Sequence, residues 1–226
     1  MKNTIIRRLP KLAKKWILNG IKKIHSVYMD HLLFGVPQIH LEEKHVANCK
    51  LVLNREAMLK RLGQQNIAAE LGVNRGEFSA KILRITRPKI LHLIDIWDSE
   101  RYNNNLFLEV KEKFTDKLQS GTVQIHRKLS TEASSDFEDG YFDFVYIDTD
   151  HSYNVTKEEL TSYASKMKRN GIIAGHDYTR CTFKAGRFGV IDAVHEFCVK
   201  YNWELIYVTA EPLEMQSFAI KKIEVG

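Results

Sequence analysis

The stretch NIAAELGVNRGEFSAKILRITRPKILHLIDIW, residues 66–97, decides the fold. NIAAELG is a short apolar run closed by a glycine, the length of a buried strand. Residues 76–86 read as a helix, and KILHLIDIW at 89–97 as a second strand. A strand, a glycine turn, a helix and another strand make a crossover unit in which the two strands run parallel.

The same alternation continues toward the C-terminus. Residues 103–119 read as a helix, TVQIHRK as a strand, 131–138 as a short helix and FDFVYID as a strand. NVTKEELTSYASKMK is a helix, GIIAGHD a strand and 187–201 a helix, and then WELIYVT and MQSFAIKK close the chain as strands. Only AEPLE separates the last two, too short for a parallel crossover, so one of them is antiparallel. The expected architecture is α/β: a doubly wound seven-stranded sheet with its last strand antiparallel.

Toward the N-terminus the pattern changes. NREAMLKRL, residues 54–62, reads as a helix with Asn54 as its N-cap. Residues 29–50 are irregular, with Gly35 and Pro37 as breakers, and their His31, His40 and His45 lack metal-ligand spacing. Before them Ile5, Leu9, Leu12, Ala13, Trp16, Ile17, Ile21 and Ile24 recur at helical spacing, with Pro10 marking the main start. We therefore divide the chain into a basic helical extension and substrate lid, 1–53, and a main domain, 54–226. A basic amphipathic helix packs on its own domain, joins subunits of a homo-oligomer, or lies on an anionic membrane through residues 1–24.

Charge distribution narrows the partners. The formal charge is +6, but residues 1–23 hold eight basic side chains and no acid, leaving 26 basic and 28 acidic residues elsewhere. Beyond residues 1–23 the net charge is −2, so the body of the chain is no nucleic-acid binder. Cys49, Cys181 and Cys198 are odd in number and show no CxxC spacing. That pattern argues against a disulfide framework or zinc ribbon and for the reducing cytoplasm. No apolar run reaches the length of a membrane span, and WILNGI has no small-residue cleavage site behind it.

Glu70, Gly72 and Gly76 sit where the first strand of the alternation turns into its helix, with Asn74 and Arg75 in the same loop. Glycines there let backbone approach a ligand, and the helix N-terminus offers free N–H groups. The loop is neither GxGxxG nor a P-loop, and an acid beside it suits a cationic ligand better than a pyrophosphate. Asp95 ends the next strand, the position from which an acid takes ribose hydroxyls. Farther on, Asp148 ends FDFVYID, with His151 three residues beyond, and His176 and Asp177 end GIIAGHD. Adjacent strand ends bring these groups to one crevice, where carboxylates and imidazole suit a divalent cation. His151 has the chemistry of a general base near neutral pH.

AELGVNRGEFS, IDIWD, FDFVYIDTDHSYNVTKEEL and KRNGIIAGHDY together resemble the successive motifs of class I S-adenosylmethionine-dependent methyltransferases. More narrowly, they resemble the group containing macrolide-sugar O-methyltransferases and the cephalosporin hydroxylase-like family, over residues 55–225. The resemblance implies a Rossmann-like fold and S-adenosylmethionine as cofactor. It assigns the methionine end to Glu70, Gly72 and Gly76, with Asn74 and Arg75 beside them, and the ribose to Asp95. Ile96 and Trp97 would line the adenine side, and Leu129 and Ser130 its edge. Asp148, His176 and Asp177 would hold the metal, Asp148 would also border the cofactor, and His151 would be the catalytic base. His176 stands where metal-binding relatives carry an acid, a softer ligand that favours Mn²⁺ over Mg²⁺. Asn170–Gly171 replaces the glycine pair expected before that strand.

The implied reaction is metal-assisted methylation of a hydroxyl on a small molecule, a sugar or sugar-containing metabolite. TRCTFKAGRFG, residues 179–189, is a candidate lid whose Arg180, Lys184 and Arg187 suit a nucleotide-linked or phosphorylated sugar. The alternatives are a metal-independent N-methyltransferase and a non-catalytic binding protein of the same fold.

Overall fold

The structure, a computed structural model, describes residues 10–33, 35–180, 182–183, 186–211 and 214–224. The chain falls into two compact units, Met1–Val36 and Pro37–Gly226. The first contains helix α1, Lys11–Leu33, which Pro10 precedes. Its length takes in residues 29–33, which the breakers had suggested were irregular. Ile5 and Leu9 of the apolar stripe, and Lys2, Arg7 and Arg8, lie outside the described residues.

The second unit begins with β1 (Lys50–Val52), α2 (Arg55–Leu62), β2 (Ile67–Leu71), α3 (Glu77–Thr86) and β3 (Ile90–Ile94). Then come α4 (Asn104–Lys113), α5 (Thr115–Gln119), β4 (Val123–His126), α6 (Ser130–Ala133), β5 (Phe142–Ile147), α7 (Tyr153–Ala164) and β6 (Met167–Gly175). A two-residue hairpin, β7 (Thr182–Phe183) and β8 (Gly186–Arg187), precedes α8 (Val190–Tyr201), β9 (Trp203–Thr209) and β10 (Phe218–Lys222). Asn54 caps α2 as expected, accepting from the Ala57 amide at 2.8 Å. The single helix expected over 103–119 is two, broken at Phe114, whose φ of −110° and ψ of 21° leave the helical region.

The main sheet has the order β1-β9-β10-β6-β5-β2-β3-β4. It holds eight strands, one more than the expected seven. The extra one is β1, parallel to β9; three residues, two of them exposed, carry no periodicity to detect. β10 is antiparallel to both β6 and β9, as the short connection required.

Helices cover both faces. Neighbouring residues of each strand point to opposite sides, so Ala69, Leu71, Val145 and Ile147 pack with α7 and α8. Ala68, Phe144 and Tyr146 pack with α2, α3 and α4. Burial on both faces explains why these strands read as continuous apolar runs. The order reverses between β2 and β5, which opens a crevice beyond their C-terminal ends. Gly72, Asp95, Asp148 and His176 all lie just past strand ends around it.

Candidate active site

A cavity of about 720 Å³ occupies the crevice, within the usual range for small-molecule and cofactor sites. Glu70, the penultimate residue of β2, reaches its wall, 2% exposed, with Ser79 of α3 donating to its carboxyl. Burial holds that carboxyl well above the ordinary range, and Asp148 and Asp95 push the same way. A buried acid kept partly neutral until a cation arrives is a ready partner for an ammonium group.

Gly72 follows with φ +83°, and a Cβ there would lie 2.0 Å from the Asp148 carbonyl oxygen. The glycine thus lets the cofactor-type loop and the β5 loop touch backbone to backbone. Gly76 has φ +71° and starts α3, where a Cβ would strike the Phe114 ring at 2.7 Å. Its place is structural, and the cavity wall is made by Asn74 and Arg75 instead.

Asp95 does more than face a ligand. Its Oδ2 accepts from the amides of Val73 at 2.8 Å and Asn74 at 3.0 Å, and its Oδ1 from Trp97 at 3.1 Å. Three backbone donors fix the carboxylate across two loops and leave acceptor capacity toward the cavity it lines. Ile96 lines the cavity as expected, but Trp97 does not. Trp97 is fully buried at φ +45°, packs 5.3 Å from Phe107, and donates its indole N–H to the Asn74 carbonyl. Its left-handed backbone turns the ring into the core, where it braces the loop. Leu129 and Ser130 line the cavity, with the Ser130 hydroxyl donating to Glu159 at 2.5 Å.

The acids and imidazoles of β5 and β6 meet at the same rim. His151 Nδ1 is 3.0 Å from Asp177 Oδ2, and Asp148, His151 and Asp177 each offer a ligand atom within 4.8 Å of the others. His176 lies outside that set, although its Nδ1 is 3.2 Å from Asp177 and 3.8 Å from Asp148. The structure therefore groups His151, expected as the base, with the two acids, in place of His176. The buried Nε2 of His176 has no hydrogen-bond partner. Burial raises the Asp148 carboxyl above its usual value against the pull of both imidazoles. Burial opposes charging of His151, but Asp177, Asp148 and Asp150 together raise it overall. Asp177 is also penalised by burial, yet His151 and His176 hold it far below the carboxylate range.

Backbone strain marks the same loops. Among the described residues six non-glycine residues have positive φ; Arg87 and Asn202 end helices, while Asn74, Trp97, His151 and Asp177 surround the crevice. Such conformations persist where surrounding structure enforces them, and they cluster at working sites.

Arg55, at the start of α2, had no motif to single it out. Its guanidinium lines the cavity, 3.8 Å from Asp148, 2.5 Å from Glu214 and 5.0 Å above the Phe78 ring. The Asn54 cap was the sole sequence signal nearby, and the partners lie about 90 and 160 residues downstream. In the candidate lid, Arg180 is bound to buried Asp192 at 2.6 Å, so it is committed to the fold. Lys184 and Cys181 lie outside the described residues, as does the Arg187 side chain.

Comparison with known proteins agrees with this geometry. Residues 69–178 match the model of a methyltransferase domain family. The fold is similar to that of a putative rRNA-methylase from Clostridium thermocellum, at 15% identity and TM-score 0.58, over 77% of this chain and 99% of that one. It is also similar to a SAM dependent methyltransferase from Aquifex aeolicus, at 13% identity and TM-score 0.53, over 73% and 87% of the two chains. An O-methyltransferase family protein from Burkholderia thailandensis gives 13% and 0.54, over 76% and 56%. Among curated proteins, none matches the sequence. Sheet order, crevice and the domain match over residues 69–178 give the chain the fold of the S-adenosylmethionine-dependent methyltransferases.

Proposed function

We propose that the enzyme methylates a hydroxyl of a small, neutral, polyhydroxylated acceptor such as a sugar or sugar-containing metabolite, in the cytoplasm where its cysteines stay reduced. The observation that carries this is the His151–Asp177 contact of 3.0 Å at the rim of the cofactor-sized cavity. Asp177 accepts from Nδ1–H, which fixes the tautomer and leaves Nε2 free to take a hydroxyl proton. S-adenosylmethionine, when bound, supplies an electrophilic methyl group on a sulfonium. Glu70 would hold its ammonium group, Asp95 its ribose hydroxyls, and Ile96, Leu129 and Ser130 its adenine. With both reactants held in line, the chain's work is positioning and proton removal.

A divalent cation fits the donor set. Asp148 and Asp177 offer two carboxylates that lie, with His151, within a mutual reach of 4.8 Å; the carboxylates would hold the cation while His151 stays off it as the base. A bound cation would supply charge that lowers the hydroxyl's pKa. The cavity lining mixes Asp148, Asp150 and Glu214 with Arg55, Arg75, Lys81 and Lys128, and Arg180 is already bound to Asp192.

A second reading has its own support. Arg55 lies 3.8 Å from Asp148 and His151 bonds Asp177, so both acids are neutralised without a metal; a neutral amine could then be the acceptor. Methyl transfer to a panel of sugars, nucleotide sugars and amines, with and without EDTA, separates the two. Transfer to a hydroxyl that EDTA abolishes supports the first reading. EDTA-insensitive transfer to amines overturns it.

A further inference from the structure

We infer that α1 lies in the plane of an anionic lipid surface and makes this enzyme a peripheral membrane protein. At 100° per residue, Leu12, Trp16, Ile17, Ile21, Ile24 and Tyr28 fall on one half of the helix circumference. Lys14, Lys15 and Lys22 fall on the other, with Lys23 inside the apolar half between Leu12 and Trp16 and Leu18 among the lysines. Trp16 is 79% and Ile24 72% exposed. The unit to which α1 belongs contains no second described element that could cover this stripe.

Charge decides the occupant. The helix carries five lysines and one acid, Asp30 near its C-terminal end, and its first turn has no acid. Residues 34–226 hold 26 basic and 27 acidic side chains, so attraction to negative charge belongs to the N-terminal segment. An apolar half with a tryptophan and a tyrosine, backed by lysines, matches the two layers of an anionic bilayer interface: hydrocarbon below, phosphate above. No described helix is long and apolar enough to cross a membrane, so α1 lies on the surface.

Trp16 makes the test direct, because the other two tryptophans, Trp97 and Trp203, are buried. The full chain is mixed with vesicles of phosphatidylglycerol and phosphatidylcholine, or of phosphatidylcholine alone. Co-sedimentation with the anionic vesicles only, a blue shift of tryptophan emission, and release by about 0.5 M salt are expected. Lys15→Gln and Lys22→Gln should each weaken partitioning about fivefold, and Trp16→Glu should abolish it without lowering the melting temperature. Equal binding to neutral vesicles, or none to either, overturns the proposal. So does a Trp16→Glu variant that melts earlier, which means packing on its own chain. A lipid-independent dimer that Trp16→Glu dissolves assigns the stripe to a second copy.

Discussion

Asp95 and His151 each act at a point, and their substitutions separate binding from chemistry. Asp95→Ala removes the proposed ribose acceptor and also frees the Val73 and Asn74 amides. Calorimetry should show S-adenosylhomocysteine binding weakened by about 1.5–3 kcal/mol. His151→Ala should leave that binding intact while turnover falls about 10²–10⁴-fold, the usual loss for a general base. An unchanged turnover would remove the base from the proposed reaction. Arg55→Ala is informative for a different reason. It deletes a cation that touches Asp148 and Glu214 together, so both binding and the position of the 211–217 connection should change.

Glu159 of α7 ties two loops, accepting from Ser130 at 2.5 Å and Thr149 at 2.9 Å while fully buried. Burial raises its carboxyl from 4.5 to about 7. The folded value exceeds the unfolded one, so its contribution to stability is complete below about 4.5 and is lost as pH rises through 7. The difference corresponds to about 3 kcal/mol. Denaturant midpoints for Glu159→Gln should stay flatter than those of the parent between pH 5 and 7.5, a window set by those two values. In the β2–α3 turn, Gly72→Ala meets both positive φ and the Asp148 carbonyl. A cost of about 2–4 kcal/mol is expected, read as a lower melting temperature with cofactor affinity lost alongside it.

Those elements also show how far the sequence could be read. Strands buried on both faces, such as Ile67–Leu71 and Phe142–Ile147, announce themselves by apolar run and glycine punctuation, and their order followed. Most acids at their ends line the cavity for the same reason, since strand ends define the crevice. Side-chain direction was less legible. Trp97 follows Asp95 immediately, yet a left-handed backbone sends it inward, which no local pattern encodes. His151 and His176 have the same chemistry, and only the turn after β5 decides which joins the acids. Arg55 depends on contacts far away in sequence, beyond the reach of spacing.

Over the molecule as a whole, the three residues of β1 have a consequence for handling the protein. They pair Lys50–Val52 with Tyr207–Thr209 and so cover one flank of β9. Trimming the chain to the helical boundary at residue 54 would remove them and bare the backbone donors and acceptors of Tyr207–Thr209 on that flank of β9. Uncovered strand flanks recruit one another between molecules. A version beginning at residue 37, the start of the compact unit, should stay monodisperse in light scattering, whereas one beginning at 54 should grow into large particles on standing. Both lack α1, so lipid affinity cannot account for the difference. The shelf life of the purified protein would then hang on three residues that lie outside the cavity lining.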